Sequence, residues 1–438
     1  MKNEGSLLIQ NGRVVDPAQN LDEVASVLIR KGKVARIARG TDPPLQAPKG
    51  IRTLDARGKV VCPGFIDMHV HLREPGFEHK EDIESGTKAA AHGGFSSVAC
   101  MPNTMPVTDN SGTVDLIEHR ARQVGLVNVF PVGAASLGMK GEELANIGEL
   151  VEAGAVAVSD DGFPVQNNYV MRRILEYTGM FGISLISHPE DTDLSAEGVM
   201  HEGYYSNLLG LKGIPAASEE IAISRNIILG EMTGTPIHIA HVSTAGGVSM
   251  IREAKQRGVR ITAEATPHHF SLADASLVSY DTNLKMKPPL RSEADVEALR
   301  QGLQDGTIDA IASDHAPHSE NEKQVEFDKA PFGVIGLETT IPVTLDKLLH
   351  TGVLSLTQIV EKLSVNPARI LKLQNKGTLK EGADGDVTIL DLEKEIEIDP
   401  QTFASKSRNT PFAAWKLKGV PTATIVSGRI AFPAPSQA

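Results

Sequence analysis

Six side chains in five separated stretches have the types and spacing to do chemistry. His69 and His71 lie in Asp67-Met68-His69-Val70-His71, Asp161 in Ser159-Asp160-Asp161-Gly162, His188 after Ser187, His241 after Ala240, and Asp314 between Ser313 and His315. Imidazoles and carboxylates are the ligands of divalent metals, and an imidazole-rich set favours zinc over magnesium or calcium. Four imidazoles and two carboxylates exceed what one tetrahedral zinc needs. They suit two ions about 3.5–4 Å apart with shared ligands. One partition gives His69, His71 and Asp314 to one ion and His188 and His241 to the other. Asp161 then bridges the pair and screens its repulsion. Metal binding brings the pKa of water toward neutrality and polarises a carbonyl, which is the chemistry of amide hydrolysis. Asp314, beside the attacking oxygen, takes its proton and passes it to the leaving nitrogen.

Each of these residues closes an apolar run. The runs are VVCPGFIDMHV, FSSVACMPN, VNVFPVGAAS, AVAVSD, ISLISH, PIHIAHVS, RITAEATP and IDAIASDH. Helical patterns such as KEDIESGTKAAAHGG, EELANIGELVEAG and GGVSMIREAKQRG lie between them, several closing on glycine as helix ends do. Apolar strands alternating with helices predict a parallel sheet, and eight units predict an α/β fold of the (β/α)8 TIM-barrel type. Catalytic groups then belong at the C-terminal ends of the strands, and His69 and His71, two apart on a strand, share a face. A doubly wound sheet usually carries a glycine-rich phosphate loop after its first strand, and none is present. Both ends of the chain read as short strands: SLLIQNGRVVD and SVLIRKGKVARIA at the start, GDVTILDL and PTATIVSGRIAF at the end. They predict one small β-sandwich domain built from residues 1–62 and 374–438, flanking a barrel over 63–373.

The net charge of −12 and a pI near 5.6 argue against a nucleic-acid or anionic-membrane partner. They do not exclude an anionic substrate, because a bound cation dominates its local field. Cys62 and Cys100 fall in predicted buried strands and read as small core residues. No apolar run approaches the roughly 18 residues of a membrane span, and MKNEGSLLIQNGRVVD lacks the apolar stretch of a signal peptide. A cytoplasmic protein is expected, with a twofold homodimer as the default assembly.

The motif from Asp67 to Gly76, DMHVHLREPG, resembles the first signature of the dihydroorotases in the amidohydrolase superfamily, and Ser313-Asp314-His315-Ala316-Pro317-His318 resembles the second. The likeness runs nearly end to end, through Asn103, Pro331-Phe332-Gly333 and Asn366-Pro367-Ala368-Arg369. Allantoinases, hydantoinases and some dihydroorotases are known for a carboxylated lysine on strand four. Here Ala155 to Asp161 holds no lysine, which is similar to the bacterial class I dihydroorotases. Arg73 also fits a substrate bearing a carboxylate, onto which its guanidinium can fork. The resemblance implies reversible conversion of N-carbamoyl-L-aspartate to L-dihydroorotate and water in pyrimidine (UMP) synthesis. It implies a two-zinc centre, substrate held by Arg73, Asn103 and His318, backbone contacts at Phe332 and Gly333, and His71 adjoining substrate as well as metal.

One position departs from the pattern. Lys287 stands before Pro288-Pro289-Leu290-Arg291 where the family carries a substrate-contacting Asn. A lysine brings a flexible point charge and no acceptor. It either pairs with a substrate carboxylate or points to solvent. Some dihydroorotase-like chains lack the ligands and serve as non-catalytic partners of aspartate transcarbamoylase. This chain keeps every expected ligand, and a complex of a catalytic chain with that enzyme is equally compatible. An allantoinase- or hydantoinase-like activity is the remaining alternative. His268 and His269 are expected to support the site rather than bind metal, Glu264 to orient a neighbour, Asp160 and His315 to be structural, and the loop 317–331 to act as a lid.

Overall fold

The computed structural model describes residues 5–432 apart from 41, 44, 46 and 47; the ends of the predicted small domain, 1–4 and 433–438, lie outside the described residues. The apolar runs of the middle form eight parallel strands: β1 (Phe65–Val70), β2 (Phe95–Cys100), β3 (Asn128–Ala134), β4 (Ala157–Ser159), β5 (Ser184–Ser187), β6 (Ile237–Ile239), β7 (Ile261–Ala265) and β8 (Ala310–Ile311). Each pairs with the next in chain order. The ring closes just past the end of β8, where His315 bridges Val70 and the His71 amide donates to the His315 carbonyl at 2.8 Å.

Burial on both faces explains the unbroken apolar runs. Ala99, Ala157, Ile186, Ala240 and Ala310 belong to one cluster, and their neighbours Val98, Val158, Leu185, Ile239 and Ile311 to the larger one. That is the two-residue period of a strand buried on both faces. Local signals set the helices between. Ile83–Gly93 starts at Asp82, whose carboxylate accepts from the Ser85 amide at 2.7 Å, and ends at Gly94 in the left-handed region. Ala245–Gln256 starts at Thr244, which accepts from the Gly247 amide. The helix read from EELANIGELVEAG is confined to Ile147–Glu152.

Both chain ends build a second, eight-stranded sheet. Its order is Arg429–Phe432, Lys416–Val426, Val387–Glu397, Val60–Pro63, Leu7–Asp16, Leu21–Arg30 and Lys33–Arg39, with Arg52–Asp55 alongside Leu7–Asp16. The run read as one strand, VVCPGFIDMHV, is therefore divided between the two sheets at Gly64. A Cβ there would lie 2.1 Å from Ser96 Oγ, so only glycine permits the crossing. Cys62 and Cys100 are buried and free, as expected. Among the described residues no helix is long and apolar enough to cross a membrane.

Candidate metal centre

The six side chains singled out by type and spacing converge at one rim of the barrel, all buried. His69 is on β1 and His71 just past it; Asp161, His188, His241 and Asp314 follow β4, β5, β6 and β8. Asp161 Oδ1 stands 3.2 Å from His188 Nδ1, 3.3 Å from His241 Nε2 and 3.4 Å from His69 Nε2, and its Oδ2 is 3.4 Å from His71 Nε2. Asp314 Oδ1 lies 3.2 Å from His71 Nε2 and 3.6 Å from His69 Nε2. Ligands about 2.0–2.2 Å from a tetrahedral zinc stand about 3.3–3.6 Å from one another, so these spacings fit shared cations. The His188 Nδ1 to His241 Nε2 separation, 2.9 Å, is tighter. Two triads share one member: His69, His71 and Asp161, and Asp161, His188 and His241. Asp161 thus stands between the two histidine pairs. The Nε2 of His69, fully buried, has no hydrogen-bond partner among the described residues, as befits a nitrogen kept for a metal.

Electrostatics point the same way. Burial alone would raise the Asp161 carboxyl, but the charge of His69 and bonds from His188 and His241 hold it well below the usual carboxylate range. Burial would depress His188, yet Asp161 and Glu190 push it up to about 9. A field that favours protonated imidazoles equally favours a divalent cation. Backbone strain is present here too. Arg73 (φ 63°), His241 (φ 31°) and Asp314 (φ 46°) are all non-glycine residues with positive φ, costing on the order of 1–3 kcal/mol each and held only by their surroundings.

The supporting groups fix which ring nitrogen faces inward. Glu264 Oε1 takes His69 Nδ1 at 2.6 Å, its Oε2 takes His238 Nε2 at 3.1 Å, and Glu190 Oε2 takes His188 Nε2 at 3.0 Å. Asp160 accepts from the amides of Ala135 and Ser136, and His315 reaches Glu81 at 3.3 Å, so both turn away from the rim as expected. His268 and His269 are buried in a short helix, Pro267–Ser271, outside both triads.

A cavity of about 640 Å³ opens over the cluster. It is lined by His71, Arg73, Asn103, Asp161, His188, Lys287, Asp314, His318, Phe332 and Gly333 among others, so every substrate contact named from sequence borders one space. His71 Nδ1 is 2.8 Å from Asn103 Oδ1. The Arg73 Nε donates to the Pro317 carbonyl at 3.2 Å, and burial draws the guanidinium down to about 10. His318 donates through Nε2 to the Phe332 carbonyl at 2.8 Å; burial and Arg73 lower it to about 3, so the ring is neutral. Lys287 does not point to solvent. Its Nζ pairs with Glu190 Oε1 at 2.6 Å and lies 5.3 Å from the Phe332 ring centroid. The loop 317–331 contains a turn of helix, Glu320–Lys323, and is tied down: buried Lys323 Nζ donates to the carbonyls of Thr282, Lys285 and Pro331.

Sequence reasoning missed Glu190 and His238. Glu190 carried a usable signal, a carboxylate two residues beyond His188. His238 sits inside an apolar run and reads as core.

A closed barrel with this rim defines a hydrolase of the amidohydrolase type. Residues 58–246 match the Dihydro-orotase-like family and residues 343–432 the Amidohydrolase family. The chain is 57% identical to a dihydroorotase of Pelotomaculum thermopropionicum, covering 97% of this chain and 98% of that one. It is 53% identical to a dihydroorotase of Geobacter sp. strain M21, covering 98% and 100%. Its fold matches the L-hydantoinase (dihydropyrimidinase) from Arthrobacter aurescens with a TM-score of 0.88 at 27% identity, covering 98% and 96%. The chain belongs to the dihydroorotase family.

Proposed function

We propose that this chain interconverts N-carbamoyl-L-aspartate and L-dihydroorotate with two zinc ions at the barrel rim, using Asp314 as the proton carrier. The observation that carries this is Arg73 in the same cavity as Asp161 and Asp314, with no lysine on β4. A carboxylate-bearing ring suits that pairing, and allantoin and simple hydantoins lack the carboxylate. The catalytic barrel is assigned residues 64–373, and the described parts of 1–63 and 374–438 the small domain; Pro63, expected in the barrel, pairs with Val387 in the small sheet.

His69, His71 and Asp314 would hold one ion, His188 and His241 the other, with Asp161 between them. Bound there, the ions lower the pKa of water and polarise the ring amide carbonyl. Arg73, Asn103 and His318 orient the ring, and neutral His318 neither repels Arg73 nor competes with it for the carboxylate. In the hydrolytic direction water adds to the amide carbon while Asp314 accepts its proton. The same carboxyl then protonates the ring nitrogen as the C–N bond breaks, leaving an open-chain carboxylic acid that ionises by releasing its proton to solvent. Lys287, paired with Glu190, lines the wall that faces the substrate. Turnover of L-dihydroorotate, allantoin and hydantoin by the purified protein tests the reading. Activity on dihydroorotate alone is expected; preference for a ring without a carboxylate would overturn it.

A further inference from the structure

We propose that Asn409, delivered from the C-terminal segment, is a positioning residue that sets the substrate-facing wall of the cavity. The inference rests on the reading of His318, Phe332 and Gly333 as substrate contacts. These three come from two stretches, one following β8 and one beyond the loop 317–331. They meet through the backbone at His315 and Val334 and through the Ala316 amide on the Val334 carbonyl at 2.8 Å.

Asn409 reads both stretches at once. It is 3% exposed, and each end of its amide is used. Its Nδ2 donates to the carbonyls of Ala316 and Gly333, both at 3.1 Å, and its Oδ1 accepts from the His318 amide at 3.2 Å. Its own carbonyl accepts from the Ile335 amide at 3.0 Å. A carboxamide offers two donors and an acceptor at one planar end; aspartate has no donor and serine only one. The wall it joins has no slack. Gly333 is at φ 128°, and a Cβ there would lie 2.8 Å from Ala316 Cβ and 3.2 Å from His318 Nε2. A shift between the stretches would therefore move His318 relative to the Phe332 carbonyl it binds.

The same segment holds the opposite flank of the mouth. Ser405 Oγ and the Lys406 amide bind Glu81, Ser407 Oγ donates to the Lys80 carbonyl at 2.8 Å, and Lys406 Nζ to the Glu78 carbonyl at 2.8 Å. This is the loop that follows Arg73. Both flanks of the cavity are thus set by a strap between Val387–Glu397 and Lys416–Val426 of the small sheet.

The test is steady-state kinetics on the zinc-loaded full chain with Asn409→Asp and Asn409→Ser, beside zinc content and thermal melting. KM for L-dihydroorotate should rise at least about tenfold, by more than kcat falls, with zinc per chain unchanged. If the Asp variant does not fold, the Ser variant carries the same test. A purely structural role predicts a lower melting temperature with unchanged KM in the folded protein, and that result overturns the inference alone. A wild-type protein that does not turn over dihydroorotate overturns the functional reading and this inference with it.

Discussion

Replacing Glu264 by glutamine removes one buried charge while keeping the side chain's shape. Glu264 is fully buried, with His69 Nδ1 at 2.6 Å on one oxygen and His238 Nε2 at 3.1 Å on the other. A glutamine can keep its oxygen on His69. Its amide then faces His238, which accepts by moving its own proton to Nδ1 and onto Thr262 Oγ1, 2.8 Å away. No polar group is orphaned, so the loss is confined to charge assistance on His69. Hydrogen bonds to charged groups contribute about 1.5–3 kcal/mol against about 1 for neutral ones. The difference, roughly 0.5–2 kcal/mol, corresponds to about a 2- to 30-fold weaker hold on an ion held by His69, overlapping the roughly 10- to 100-fold range for groups that orient metal ligands. Chelator competition would measure that affinity, with kcat/KM followed as zinc is added back. Activity should be lost at limiting zinc and recovered in excess. Unchanged zinc affinity, or a loss that excess zinc does not repair, would refute the reasoning.

Arg73→Lys should raise KM for dihydroorotate about tenfold to a hundredfold, because the forked pair to the substrate carboxylate is replaced by a point charge; an unchanged KM would place the carboxylate elsewhere. Asp314→Asn keeps the shape but cannot carry a proton, so kcat should fall at least about a hundredfold in a folded protein, and near-normal turnover would remove Asp314 from the mechanism. Burial raises the Glu338 carboxyl from 4.5 to about 7. Its contribution to stability is therefore complete below about pH 4.5 and is lost as pH rises through about 7. Thermal melts of Glu338→Gln should show a flatter decline than wild type between about pH 5 and 8; superimposable slopes would contradict this.

The barrel and the clustering of the six side chains were legible because they follow from one physical rule. Strands buried on both faces are continuously apolar, and a polar residue that ends such a run at the C-terminal rim has few other reasons to be there. His188, His241 and Asp314 each obey it. The division of VVCPGFIDMHV between two sheets was not legible, because its cause is the contact between Gly64 and Ser96, thirty-two residues apart. Lys287 could be flagged as unusual but not oriented, since its partner Glu190 belongs to another strand end. Asn409 was invisible for the same reason: its value lies in three backbone groups that only the folded chain brings together.

The proposed chemistry requires paired cations that share Asp161. Elemental analysis of the purified chain, taken with dihydroorotate turnover before and after chelation, addresses that directly. Two zinc ions per chain are expected, with turnover abolished by the chelator, restored by added zinc, and lost together with bound metal in Asp161→Ala. Full turnover by metal-free protein would contradict it.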